Sequence, residues 1–181
     1  MNQGLIPNRY AKALYEYAAE NGRDKSVFDC MQRLADAFAA EPELTKAVCN
    51  PFVSRADKIK LLSTASDTPA DDNVMARFMD MLADNNRLDM AREIALAYLK
   101  IYRKMHNIRL VTVTSAAPMA KADEDRLKDF IQRHLGKAVM EYNHRIDPDL
   151  IGGFVVNIDN EKLDASVANE LKQLRLKLLS K

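Results

Sequence analysis

Within Met105-His106-Asn107-Ile108-Arg109-Leu110-Val111-Thr112-Val113-Thr114-Ser115 the hydrophobic period changes, and the fold turns on that change. Before it, apolar residues recur every three or four positions, as on one face of a helix. From Ile108 on, β-branched residues crowd together and alternate with polar ones, which predicts a strand ending at Ser115, before Ala117-Pro118. A seam near His106 and Asn107 therefore divides residues 1–105 from residues 106–181.

Working back from the seam, six helical stripes are legible. Tyr10, Leu14 and Tyr17, with Ala13 and Ala18 beside them, run up to Asn21-Gly22. Val27, Met31, Leu34 and Phe38 repeat the pattern. Pro42 opens a short third helix that Asn50-Pro51 closes. Ser54-Arg55-Ala56-Asp57 resembles a capping box ahead of Ile59, Leu61 and Leu62. Val74, Phe78, Met81 and Leu82 mark a fifth helix ending near Asn85-Asn86, and a sixth runs from about Leu88 to Met105. Six amphipathic helices with short connections bury their stripes against one another, so the expected fold is an N-terminal all-α six-helix bundle.

Beyond the seam, Asp123 to His134 returns to helix, and Ala138–Ile146 and Phe154–Ile158 read as two more strands. Asp147-Pro148-Asp149 breaks the chain between them. A last helix spans about Ser166 to Leu179, with Val167, Leu171, Leu174 and Leu178 on one side. The second part is thus expected to be a small C-terminal α+β module.

Hydrophobic residues make up 48% of the 181 residues, enough for a buried core. No apolar run approaches the roughly 20 residues that cross a bilayer. The opening Met1-Asn2-Gln3-Gly4-Leu5-Ile6-Pro7 lacks the look of a signal peptide, so a protein made without export is expected. Lys and Arg number 27 against 26 Asp and Glu, with 15 of each up to Met105 and 12 against 11 beyond. That balance is unlike the basic footprint of a nucleic-acid or anionic-membrane binder and favours protein partners. Cys30 and Cys49 lack metal or redox spacing and are expected to be reduced, buried thiols.

Catalytic patterns are missing. The chain has no Gly-x-x-x-x-Gly-Lys-Ser/Thr phosphate cradle, no His-Glu-x-x-His helix and no Gly-x-Ser-x-Gly elbow. His106, His134 and His144 fall in different elements and read as surface histidines. Asp123-Glu124-Asp125 suits the positive end of a helix dipole. Gly152-Gly153 precedes a strand rather than a helix N-terminus, so it reads as a backbone device open only to glycine. Met75, Met79 and Met81 cannot all face one core, which suggests a second apolar face on the fifth helix; Tyr15, pointing away from Tyr10 and Tyr17, raises the same question for the first. No catalytic residue, metal, cofactor or nucleotide is expected.

Several of these stretches together resemble one family. Arg9-Tyr10-Ala11-Lys12-Ala13-Leu14, Asn86-Arg87-Leu88 and Val113-Thr114-Ser115-Ala116-Ala117-Pro118 are similar to segments of the ATP synthase δ subunit family, whose mitochondrial member is the oligomycin-sensitivity-conferring protein. The most specific match is Asp147-Pro148-Asp149-Leu150-Ile151-Gly152-Gly153, followed by Asp164-Ala165-Ser166-Val167, Leu171 and Leu174. Ala168 departs from a position that is often basic, and Asp159 to Lys162 reads as a polar insertion.

The resemblance implies a non-catalytic stator connector of a rotary F-type ATP synthase, coupling rotor torque to proton-driven ATP synthesis. It implies that the bundle binds the N-terminal segment of an α subunit as a helix against the first and fifth helices, and that the C-terminal module joins the b subunits of the peripheral stalk. On that basis the groove residues are Tyr10, Ala13, Tyr17, Phe78, Met81 and Leu82, and the structural motif residues are Gly152, Gly153, Asp164 and Ser166. Membrane association would run only through the complex, at the cytoplasmic face of a bacterial inner membrane. The alternative, a helical adaptor of an RNA or transcription complex, fits the neutral charge poorly. With no phosphate cradle, millimolar ATP is expected to leave the melting temperature unchanged; a clear upward shift in a thermal scan would show that a nucleotide site exists.

Overall fold

Contacts in the computed structural model, which describes residues 4–69, 72–159 and 161–179, divide the chain into two units, Met1–Met105 and His106–Lys181. The first is α-helical: α1 (Leu5–Glu20), α2 (Asp24–Ala40), α3 (Pro42–Cys49), α4 (Arg55–Ala65), α5 (Asn73–Asp84) and α6 (Ala91–Met105). Leu88–Met90, expected as the start of the sixth helix, forms a 3₁₀ turn ahead of α6.

Local chemistry sets several helix ends. Ser54 caps α4 by accepting from the Asp57 amide at 3.1 Å, while its hydroxyl donates to the Asp57 carboxylate at 2.6 Å. Asp72, itself buried, caps α5: its Oδ1 accepts from the amides of Val74 and Met75 at 3.1 and 3.2 Å, and its Oδ2 takes the Ser26 hydroxyl of α2 at 3.3 Å.

The core of this unit lies where α6 packs on α1 and α2. Tyr98 of α6 is fully buried, and its hydroxyl donates to the Asp24 carbonyl at 3.0 Å. Burial first, and then the Asp24 charge, push the phenol's pKa well above its ordinary value. Tyr15 packs against Tyr98 and Tyr102, with ring centroids 6.1 and 6.4 Å apart, so it faces α6 rather than a second apolar face. Cys30 is buried, and burial is the main cause that raises its thiol pKa; Cys49, expected to be buried, is exposed at the end of α3.

The second unit is α+β: β1 (Ile108–Ser115), α7 (Lys121–Leu135), β2 (Val139–Ile146), β3 (Gly153–Ile158), β4 (Glu161–Ser166) and α8 (Val167–Leu179). The sheet is mixed, in the order β2-β1-β3-β4, with β1 parallel to β2 and antiparallel to β3. Val111, Val113 and Val156 of the sheet and Ile131 of α7 form its buried centre.

Asp159 closes β3 back onto β1, its carboxylate accepting from Arg109 at 2.6 Å and from the Leu110 amide at 3.3 Å. Lys162 lies within β4, a strand absent from the sequence reading because its side chains alternate no apolar face.

Tyr98→Phe removes one buried hydrogen bond without a cavity and is expected to cost about 1 kcal/mol in urea unfolding. A variant as stable as the parent would show that the Asp24 contact contributes nothing.

Candidate functional site

Of the six groove candidates, two are core. Phe78 is 5% exposed and Leu82 0%, on the side of α5 that also buries Val74, Met75 and Met79. The sequence shows which residues of α5 are apolar but not its rotation, and the buried cap at Asp72 turns these two inward. Met81, 38% exposed, lies outside that cluster. On α1, Leu14 and Ala18 are buried, Ala13 is exposed, and Tyr10 and Tyr17 are half-buried. The accessible strip is therefore Tyr10, Ala13 and Tyr17 on α1 with Met81 on α5. Among the described residues a side-chain hydrogen bond joins the two helices across it: Arg77 Nη1 donates to the Tyr17 hydroxyl at 3.0 Å.

The motif residues of the second unit meet at the start of α8. Asp147 accepts from the Asp149 amide at 3.1 Å, capping a 3₁₀ turn at Pro148–Leu150, and its own amide donates to the Ser115 carbonyl at 2.8 Å. The Gly152 carbonyl then accepts from the Val167 amide at 3.0 Å. A Cβ on Gly152 would sit 3.1 Å from Val167 Cγ2. Gly153 has φ +73°, and a Cβ there would collide with the Ala165 carbonyl oxygen. The glycine pair is thus the price of passing the turn beneath the β4–α8 junction.

Asp164 and Ser166 complete that junction. The Ser166 hydroxyl donates to Asp164 Oδ1 at 2.6 Å, and the Ser166 oxygen accepts from the Asn169 amide at 3.2 Å in the first turn of α8. The Ser166 hydroxyl, then Lys162, then the Ser166 amide hold the Asp164 carboxyl below its ordinary pKa.

What this junction presents is apolar. Leu171, Leu174 and Leu178 were expected on one side of the last helix, and all three are exposed; α8 buries none of its described residues. A cleft of about 350 Å³ lined by Leu127 and Phe130 of α7, Phe154 of β3 and Leu163 of β4 adds to the uncovered apolar surface of this unit. Neither feature was legible beforehand, since exposure depends on what the fold leaves uncovered.

Polar chemistry is sparse. His106 and His134 are exposed, while His144 bonds to Ser115 Oγ at 2.8 Å. Ser115 spends its proton on the Ala117 carbonyl at 2.6 Å, so the His144 ring nitrogen is the donor. Among the described residues no three His, Cys, Asp or Glu side chains form a group suited to a metal ion. Among the described residues no helix is long and apolar enough to cross a membrane.

Each of the two units thus leaves apolar side chains exposed on a helix. Residues 6–178 match the family described as ATP synthase delta (OSCP) subunit. The chain is 36% identical over 179 residues to the ATP synthase subunit delta of Parabacteroides distasonis, covering 99% of this chain and 98% of that one. It is 34% identical over 182 residues to the same subunit of Bacteroides thetaiotaomicron, covering 100% and 97%. A chain in the cryo-EM structure of the Toxoplasma gondii mitochondrial ATP synthase hexamer shares the fold, with TM-score 0.73, 22% identity, and 96% and 97% of the two chains covered. The chain belongs to the ATP synthase delta (OSCP) subunit family. It is a non-catalytic, stator-linking subunit of that complex.

Gly153→Val is expected to destabilise the sheet-containing unit by roughly 1–3 kcal/mol while the helical unit unfolds as before. Hydrogen exchange resolved by segment checks this; equal loss of protection in both units would refute a local role.

Proposed function

We propose that the chain ties the catalytic head to the peripheral stalk through two separate grips. The helical unit, read as a six-helix bundle, binds the N-terminal segment of the α subunit as a helix along Tyr10, Ala13, Tyr17 and Met81. The α+β unit binds the b subunits of the stalk through Leu171, Leu174 and Leu178 of α8. The observation that carries this reading is that each unit, with a core of its own, leaves an apolar helix face exposed. Exposed apolar faces of this kind mark interaction sites.

In this reading the protein does mechanical work without chemistry. Proton flow turns the rotor, and the connector keeps the head from turning with it. Two grips on one chain hold better than either alone because release of one leaves the other at high effective concentration. The subunit sits at the cytoplasmic face of a bacterial inner membrane and reaches the membrane only through the complex. The balanced charge gives no support to the RNA-adaptor alternative.

Full-length variants separate the grips. Met81→Glu places an unpaired carboxylate under the docked helix and is expected to weaken capture of an α N-terminal peptide tenfold or more, about 1.4 kcal/mol. Leu174→Glu is expected to spare that peptide and to lose the b subunits in a pulldown. Neither variant should restore proton-driven ATP synthesis to membranes stripped of the native subunit as well as the parent does. Full restoration by Leu174→Glu would overturn the stalk assignment, and a Met81→Glu protein unfolded by circular dichroism would place Met81 in the core.

A further inference from the structure

We propose that Arg77 reads a carboxylate on the helix that docks along α1 and α5, and so sets which segment binds and in which direction. The proposal rests on the groove reading above and names a determinant within it.

Arg77 is exposed and lies one turn before Met81, on the same side of α5. An exposed arginine commonly spends its charge on a neighbouring carboxylate, and Asp80 is available three residues on. Yet among the described residues Arg77 makes no ion pair, and its one hydrogen bond is to the Tyr17 hydroxyl at 3.0 Å. A phenol oxygen is neutral. It holds the guanidinium over the junction of α1 and α5 without cancelling its charge. The guanidinium has five N–H donors in a fixed fork, so the donors not used on Tyr17 are free to engage a ligand.

The result is a braced, uncompensated cation beside the apolar strip of Tyr10, Ala13, Tyr17 and Met81. The group that fits it is a carboxylate, which a guanidinium can bind through two parallel hydrogen bonds. The occupant is therefore an amphipathic helix with an acidic residue about one turn from the apolar side chain that covers Met81. Asp84 lies two turns beyond Arg77 on nearly the same side, roughly 10 Å along the axis. Arg77 thus stands with the exposed carboxylates Asp80 and Asp84 beyond it along α5, an order that disfavours an incoming helix of reversed charge order.

The test uses the full-length protein, the α N-terminal peptide, and a peptide whose acidic residues are changed to amides. Arg77→Met keeps the apolar stem and is expected to weaken the native peptide about fivefold and to flatten the salt dependence of binding. The amide peptide should lose the same factor on the parent protein and nothing further on Arg77→Met, as a double-mutant cycle requires for a direct pair. Tyr17→Phe, which releases the brace, should lose less than Arg77→Met. Independent, additive losses from the protein and peptide changes would overturn the proposal. Met81→Glu separates it from the groove itself. Binding lost in Met81→Glu but unchanged in Arg77→Met overturns the Arg77 assignment alone, whereas unchanged binding in both overturns the groove.

Discussion

The buried carboxylate of Asp72 makes three hydrogen bonds, two to the first amides of α5 and one to Ser26 of α2, and the rotation of α5 depends on them. A helix turns about 100° per residue, so starting one position later would exchange core and surface residues along its whole length. With the start held, Val74, Met75, Phe78, Met79, Leu82 and Ala83 turn inward. Arg77, Met81 and Asp84 are left on the exposed side of α5, where Arg77 meets Tyr17 of α1. The cap is costly to break because a buried carboxylate left without partners is strongly unfavourable. One short polar cluster therefore decides both what the helical unit buries and what it offers.

The same economy governs the second unit. Its glycine pair, its Asp164–Ser166 contact and the Gly152 carbonyl all converge on the first turn of α8, whose own side chains bury nothing there. These residues do not touch a partner in the proposed arrangement. They hold the helix that does.

Much of this was legible in the sequence. Spacing located the helical segments of the first unit, the strand at Ile108–Ser115 and the cap at Ser54, because each is a local pattern. The glycine pair was legible as backbone because only five glycines occur in the chain and two of them are adjacent. The failures share a cause. Phe78 and Leu82 read as groove because periodicity shows that α5 is amphipathic without showing which neighbour lies on which side. β4 was missed because Glu161, Lys162 and Leu163 are all exposed on an edge strand, where no buried face imposes alternation. The Tyr17–Arg77 contact joins residues 60 positions apart and leaves no trace in spacing.

α8 continues β4 without a break, Ser166 passing directly into Val167. Load borne by α8 therefore passes into the rest of its unit in part through the β3–β4 ladder, which pairs Gly153 with Ser166 and runs in register to Ile158 and Glu161. Pulled lengthwise, such a ladder resists in shear, with its rungs sharing the force. Peeled sideways, it opens like a zipper from the Ser166 end, one rung at a time. The Gly152–Val167 hydrogen bond sits at that end and acts as a stitch against tearing. A tether built this way is anisotropic: it is stiff along one axis and weak across it, so the direction from which the strain arrives matters as much as its size.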